Sequence, residues 1–472
     1  MILSLGLALL GAALAGAPAH WFRIDLVRCA SWPPLELGVW CGGAYAAGIA
    51  LLTIAWVRIG LSSHRPAPSL RWVVIAGALV HVVAAAGLPY LSQDPLYYAA
   101  LGRSMATFGG DPAQPLSNVL PSGDAFLLAL PEGWRAGTSP YGPAFHLVAR
   151  AAAAVGGDDL ALQLRVYQLV GLACMVAVAL IVAAAARDRG ETAGSPARAA
   201  ASVLFCPLAI IEGTQSGHND VMLAVATAAF VWALGRRRPA TGLAYLLAGV
   251  TVKLSALLWF GIHLGQRLVD GWRRLSPSRR AVLGAGCAAV GAATVAWLSL
   301  RRSEWLSVGM SSLFDDPHET SLKCTRALEC LPRALARWWF DAPGVSSAIA
   351  IAFRVLAGIW LVGMAVRSAS PAQRWLSGLA TAVFIYYLCL HPWAQSWYLL
   401  PLLPLLPFLE PVRRAPMLVL CVTSTLYYAV TLPFGCVTGE LGIGIVEIVE
   451  SFITIVPPIW VLVRGRGVHA VA

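Results

Sequence analysis

Charge is what this chain has least of. Asp, Glu, Lys and Arg make up 12% of its 472 residues and hydrophobic residues 58%, whereas a soluble domain is about one quarter charged. Lysine is nearly absent, Lys253 and Lys323 being the only two, so the excess of 34 basic over 23 acidic residues is carried by arginine. The ten cysteines form no Cys-x-x-Cys pair, which removes the usual zinc frameworks and dithiol redox sites. Neither an Asp-x-Asp motif nor a Gly-x-x-x-x-Gly-Lys loop occurs, so common devices for holding a nucleotide phosphate are missing. No internal repeat is visible, which counts against a transporter built from repeated halves.

What fills the chain instead is apolar runs, with a mean hydropathy of +0.71. A membrane helix needs roughly 20 mostly apolar residues and bonds its backbone internally. The runs are continuous rather than alternating, so a β-barrel is excluded. The expected fold is an all-α polytopic membrane protein, a bundle of about fourteen spans forming one integral domain over 1–472. Candidate spans lie near 3–17, 37–57, 72–89, 162–186, 198–211, 221–234, 242–252, 255–268, 281–300, 346–366, 376–390, 397–409, 417–432 and 442–463. The first run lacks a basic leader and reads as a retained helix.

Arginines collect between alternate pairs of these spans, as in Arg236-Arg237-Arg238 and Arg273, Arg274, Arg279 and Arg280. Short basic loops face the cytoplasm, so the net charge of +11 is a topology signal rather than a nucleic-acid footprint. The same alternation puts two long segments, 91–160 and 301–345, on the outer face. Loops of more than about 15 residues usually carry function or structure of their own.

The first outer segment opens with Asp94-Pro95-Leu96-Tyr97-Tyr98, and Leu96, Tyr97, Leu101 and Met105 recur near helical spacing. A short helix along the membrane surface is expected there, and a second from about 144 to 155. Further polar groups gather at outer span ends. They are Glu212-Gly213-Thr214-Gln215-Ser216-Gly217-His218-Asn219-Asp220, Lys253, and His391-Pro392-Trp393-Ala394-Gln395-Ser396-Trp397-Tyr398. Each has a bland reading as well. Asp94, Asn219 and Asp220 suit helix caps, Lys253 suits snorkelling to the interface, and the tryptophans suit an aromatic belt.

Taken in order, Asp94 with Tyr97 and Tyr98, Gly110-Asp111-Pro112, Ser139-Pro140-Tyr141-Gly142-Pro143, Gly217-His218-Asn219-Asp220, Lys253 and Trp397-Tyr398-Leu399-Leu400-Pro401 resemble the polyprenol-phosphate-mannose-dependent mannosyltransferases of actinobacteria, within the GT-C glycosyltransferases. The resemblance covers most of the chain from residue 72 onward, with 1–70 as two additional helices and 71–472 as the transferase core. It departs at Asp111-Pro112-Ala113, where many relatives have Asn-Pro-Tyr.

The resemblance implies an outer-face acid acting as general base, and Asp94 is the matching residue. Asp220 is the alternative. The base would take a proton from an acceptor hydroxyl as it attacks the anomeric carbon of a polyprenyl-phosphate sugar. Because the phosphate leaves as a stable anion, it needs a cation rather than a second acid, and Lys253 is the candidate, supported by Arg103 or His391. Tyr97, Tyr98, Tyr141, His218, Asn219, Gln395, Trp397 and Tyr398 are the remaining candidate substrate contacts. Such a reaction inverts the anomeric centre and needs no metal or other cofactor. The expected partners are the lipid-linked donor, a glycan or glycolipid acceptor and membrane lipids. The competing class is a transporter or flippase of lipid-linked glycans.

Overall fold

In a computed structural model of the chain, residues 35–61, 67–87, 89, 91–130, 132–190, 195–274, 372–387, 395–430 and 440–468 are described, with a few isolated positions besides. The expected span 281–300, the outer segment 301–345 and nearly all of 3–17 and 346–366 lie outside them, as does His391. The described elements are helical, and the one extended pairing among them is an isolated antiparallel bridge between Tyr141 and Lys253.

In chain order the first helices are α1 (Leu35–Trp56), which ends in a π turn, and α2 (Leu70–Ala85). The segment expected outside forms α3 (Asp94–Thr107), three single turns α4 (Leu116–Val119), α5 (Ala125–Leu128) and α6 (Glu132–Arg135), and α7 (Pro143–Gly156). Then come α8 (Leu160–Arg189), α9 (Pro196–Leu204), a π-helical segment (Ala209–Gln215), α10 (Asp220–Gly235), α11 (Pro239–Val250) and α12 (Ala256–Arg274). Last are α13 (Ala372–Ile385), 3-10 turns at Ser396–Leu402 and Leu406–Phe408, α14 (Pro411–Leu426) and α15 (Glu440–Val468).

Two helical stretches, Val39–Leu61 and Leu160–Arg189, are long and apolar enough to cross a membrane. A third qualifies only if Pro196–Leu204 and Ala209–Gln215, bent by 66° at their junction, count as one. Leu70–Ala85, Asp220–Gly235, Pro239–Val250 and Leu376–Ile385 are apolar but shorter. Among the described residues two helices, or three with that bent pair, are full spans, and several of the fourteen expected runs lie outside these residues. The run at 397–409 differs in kind, because Pro401, Pro404 and Pro407 remove a backbone donor every third residue and leave 3-10 turns in place of an α-helix.

Caps written into the sequence fix the helix starts. The Ser69 hydroxyl accepts from Trp72 N, the Asp159 carboxylate from Leu162 N and the Ser195 hydroxyl from Arg198 N. At 30 residues, α8 is about 45 Å long and runs the depth of the bundle. Near its start Arg165 donates to the carbonyls of Ala85, Ala86 and Gly87, so the C-terminal end of α2 is tied to α8 just before the chain enters α3.

Two cores result. One lies among α1, α2, α8, α9, α10, α13 and α14, where Trp56, Phe205, Phe230 and Leu400 are fully buried. The other belongs to the 91–160 segment and packs Tyr98, Leu101, Phe126 and Phe145 against Tyr167 of α8. The second core encloses α3 more completely than a one-sided surface helix would be, since Tyr98, Ala99 and Ala100 are buried along with Leu96 and Leu101.

Candidate functional site

The polar groups converge where α3, the π segment, the start of α10 and the 3-10 turn at Ser396–Leu402 meet. Asp94 is the first residue of α3, but Gln93 takes the cap position and Asp94 leaves its carboxylate free for other partners. One turn on, the Tyr98 hydroxyl is shared between Asp94 Oδ2 at 3.4 Å and Asn219 Oδ1 at 3.3 Å. On its other side Asp94 Oδ2 lies 3.5 Å from His218 Nδ1.

His218 is fully buried, and its second ring nitrogen lies 3.3 Å from Glu212 Oε2. Both contacts are ion-pair distances rather than aligned hydrogen bonds. The other Glu212 oxygen accepts from the Ser396 hydroxyl, and the His218 ring stacks on Trp397 at 3.9 Å. Burial pushes the imidazole toward its neutral form, but the carboxylates of Asp94 and Glu212 more than offset this and raise its pKa from 6.5 to about 9. The group is thus a row of Asp94, His218 and Glu212 in which the two acids favour the protonated imidazole between them.

A second pair stands beside it. Lys253 Nζ donates to both oxygens of Asp220, at 2.9 and 3.2 Å, and lies 4.3 Å from the Tyr398 ring centroid and 5.9 Å from that of Tyr141. The bridge between Tyr141 and Lys253 is continued by Gly142 N donating to Val252 O at 2.8 Å and Ala144 N to Thr251 O at 2.8 Å, so the 91–160 segment is joined to the end of α11. Asp220 is 1% exposed and opens α10 without capping it, while Asn219 sits at the cap position with no side-chain cap bond. The Asp94 side chain, in contrast, is 11% exposed.

The structure thus brings together Asp94, Tyr98, Tyr141, His218, Asn219, Asp220, Lys253, Trp397 and Tyr398. Tyr97 is buried against Trp134 and Tyr141, with ring centroids at 5.9 and 6.2 Å. Gln395 is buried at the start of the 3-10 turn. Arg103 is not brought in. It is bound to Asp124 at 2.8 Å and to Asp158, and it stacks over Phe126. Trp397 and Tyr398 face protein groups, unlike an aromatic belt, and Lys253 has a fixed partner, unlike a snorkelling lysine.

Glu212 and Ser396 join this cluster although sequence reasoning gave neither a role. The available signal was Glu212 itself, a carboxylate closing the apolar run 198–211, which requires a buried partner.

Against known proteins, residues 2–266 match the family described as alpha-(1->6)-mannopyranosyltransferase, N-terminal domain, which is more than half of the chain. Among curated proteins, alpha-(1->6)-mannopyranosyltransferase A of Mycobacterium tuberculosis is 25% identical over 238 residues, covering 47% of this chain and 43% of the relative. The protein of the same name from Corynebacterium glutamicum is 26% identical over 182 residues, covering 37% of this chain and 36% of the relative. The match therefore spans less than half the length of either relative. No solved structure matches the chain.

Proposed function

The chain belongs to the alpha-(1->6)-mannopyranosyltransferase family, and from that premise we propose that it transfers a mannosyl group from a polyprenyl-phosphate donor to a glycan or glycolipid acceptor. We place the reaction on the outer face of the bacterial cytoplasmic membrane, with the chain as one integral domain. The observation that carries this reading is the cluster around Asp94, a carboxylate with part of its surface open, backed by Tyr98 and His218 and set beside a partly exposed lysine.

In this mechanism Asp94 accepts the proton of the attacking acceptor hydroxyl. The oxygen enters the anomeric carbon from the side opposite the phosphate, so the centre inverts. The C–O bond to phosphate breaks, and the phosphate keeps the electron pair as an anion that requires no proton. The difference between the two candidate bases favours Asp94, because both oxygens of Asp220 are occupied by Lys253. Lys253, cationic and beside the aromatic rings of Tyr141 and Tyr398, is the group we assign to the departing phosphate, and no metal enters the scheme.

The test is transfer of labelled mannose from polyprenyl-phosphate-mannose by the purified protein across a panel of oligomannoside acceptors. Asp94→Asn is expected to lower the rate by about 10² to 10⁴ in protein that remains folded, with a lower melting temperature because His218 loses one of the two acids beside it. A folded Asp94→Asn protein with full activity would rule Asp94 out as the base. Movement of a lipid-linked glycan across vesicles without sugar transfer would replace the reading by the flippase.

A further inference from the structure

At the other end of α8 from the Asp94 cluster, two apolar grooves meet at one arginine. The larger, about 830 Å³, runs between α8, α10 and α11 past Ala226, Ala229 and Trp232. The smaller, about 460 Å³, lies where α8 passes Leu70 of α2 and Pro196 at the start of α9. They share Leu180, Ala184 and Arg187. Leu180 is 46% exposed, so the ridge between the grooves faces outward from the bundle.

The arginines around this ridge are not equivalent. Arg189 donates to the Val231 carbonyl at 3.2 Å and stacks over Phe408. Arg236 is paired with Asp188 at 2.8 Å and lies over Trp232. Arg187 is exposed and lies within the field of the Asp188 carboxylate, but among the described residues it makes no hydrogen bond or salt-bridge contact of its own. Beside it is the first turn of α9, a nine-residue helix whose Ser195, Pro196 and Ala197 line the smaller groove. The first turn of a helix and a guanidinium with no hydrogen-bond partner among the described residues thus stand at the wall that the two grooves share.

We infer that this is a binding site for one anionic diacyl phospholipid from the leaflet on the arginine side, with one tail in each groove and the phosphate on Arg187. The division into two grooves selects a two-tailed lipid, since a single-chain lipid leaves one groove open. The shared arginine selects an anionic headgroup, since a zwitterionic one brings its own cation to a rim where Arg187 is already cationic and the Arg236 charge is paired with Asp188. The site's headgroup end lies away from the Asp94 cluster, whereas the larger groove extends to Ala144, Thr251 and Val252, beside the bridge between Tyr141 and Lys253.

The test uses the purified full chain in detergent, with phosphatidylglycerol and phosphatidylcholine of identical tails added in turn. Lipid retention is read by native mass spectrometry, and stability by melting temperature. Wild type is expected to retain one phosphatidylglycerol and to melt higher with it than with phosphatidylcholine. Arg187→Gln, a change at an exposed side chain, is expected to weaken phosphatidylglycerol retention about tenfold or more. Ala184→Trp, which fills both grooves at their shared wall, is expected to abolish retention of either lipid. Equal stabilisation by both lipids, or Arg187→Gln retaining phosphatidylglycerol like wild type, overturns the proposal. So does displacement of the bound lipid by polyprenyl phosphate, which would assign the larger groove to the donor tail.

Discussion

The imidazole of His218 lies on the indole of Trp397, the rings 12° from parallel with centroids 3.9 Å apart. The stack holds the ring so that its two nitrogens face Asp94 and Glu212, and an imidazolium over an indole face is itself favourable. Through this one side chain, the depth of the bundle at Glu212 is connected to the partly open carboxylate of Asp94.

The pH dependence of stability follows from that row. His218 is raised to about 9 in the folded protein, above the 6.5 of a free imidazole. Its contribution is therefore fully present below pH 6.5 and is lost as pH rises through about 9, a change of roughly 3 kcal/mol. Melting temperature measured in detergent is expected to decline across this window. Glu212→Gln removes one of the two anions, so the decline should shrink and move to lower pH. An identical decline in wild type and Glu212→Gln would mean that the pair does not hold the proton.

The Lys253 and Asp220 pair gives a separate expectation. Asp220→Asn leaves a largely buried ammonium without its anion, which costs about 3 to 5 kcal/mol by the behaviour of broken buried pairs. Replacing both, as Asp220→Asn with Lys253→Met, removes the stranded charge and should recover much of that loss. Thermal unfolding of the two single variants and the double variant measures the coupling. Additive losses would show that the contact carries no interaction energy.

Arg103 is expected to act on structure rather than on substrate. Its guanidinium joins α3 to the Asp124 cap of α5 and to Asp158, just ahead of α8. Arg103→Ala should accelerate proteolysis of the 91–160 segment and leave the donor KM within about twofold, whereas a phosphate contact would be worth tenfold or more. A KM increase of that larger size, with unchanged proteolysis, would return Arg103 to the substrate site.

How far the sequence anticipates these arrangements depends on the range of the cause. Local causes are legible. Pro95 and Pro143 set the starts of α3 and α7, and Gly217-His218-Asn219-Asp220 reads as a polar break between apolar runs. The proline repeat at Pro401, Pro404 and Pro407 is equally visible, but reading the segment by apolar length alone turns it into a span. Pairings between distant residues are not legible. Nothing local to Glu212 indicates Ser396, 184 positions away, and nothing local to Lys253 indicates Asp220 rather than the interface. Arg103 lies on the same short helix as Asp94 but is drawn away by Asp124 and Asp158, acids that sequence spacing gave no reason to pair with it.

Two glycines make the site's geometry sensitive to single methyl groups. Gly217, just before His218, has φ of 67°, and a Cβ there would lie 3.2 Å from the backbone of Tyr167 and Gln168. Alanine costs roughly 1 to 2 kcal/mol in that left-handed region before any clash is counted. At Gly171 of α8, a Cβ would stand 2.1 Å from the Gly213 carbonyl oxygen, so the π segment carrying Glu212 must move to admit it. The two substitutions strain the same loop from different sides, and neither removes a polar group. A displacement of about 1 Å in such a constellation is worth on the order of a hundredfold in rate. Gly171→Ala should therefore depress kcat strongly while the protein still folds, and Gly217→Ala should lower both kcat and melting temperature. If folded Gly171→Ala protein keeps wild-type kcat, the position of Glu212 does not govern the chemistry at Asp94, and the row through His218 would then be a stabilising feature alone.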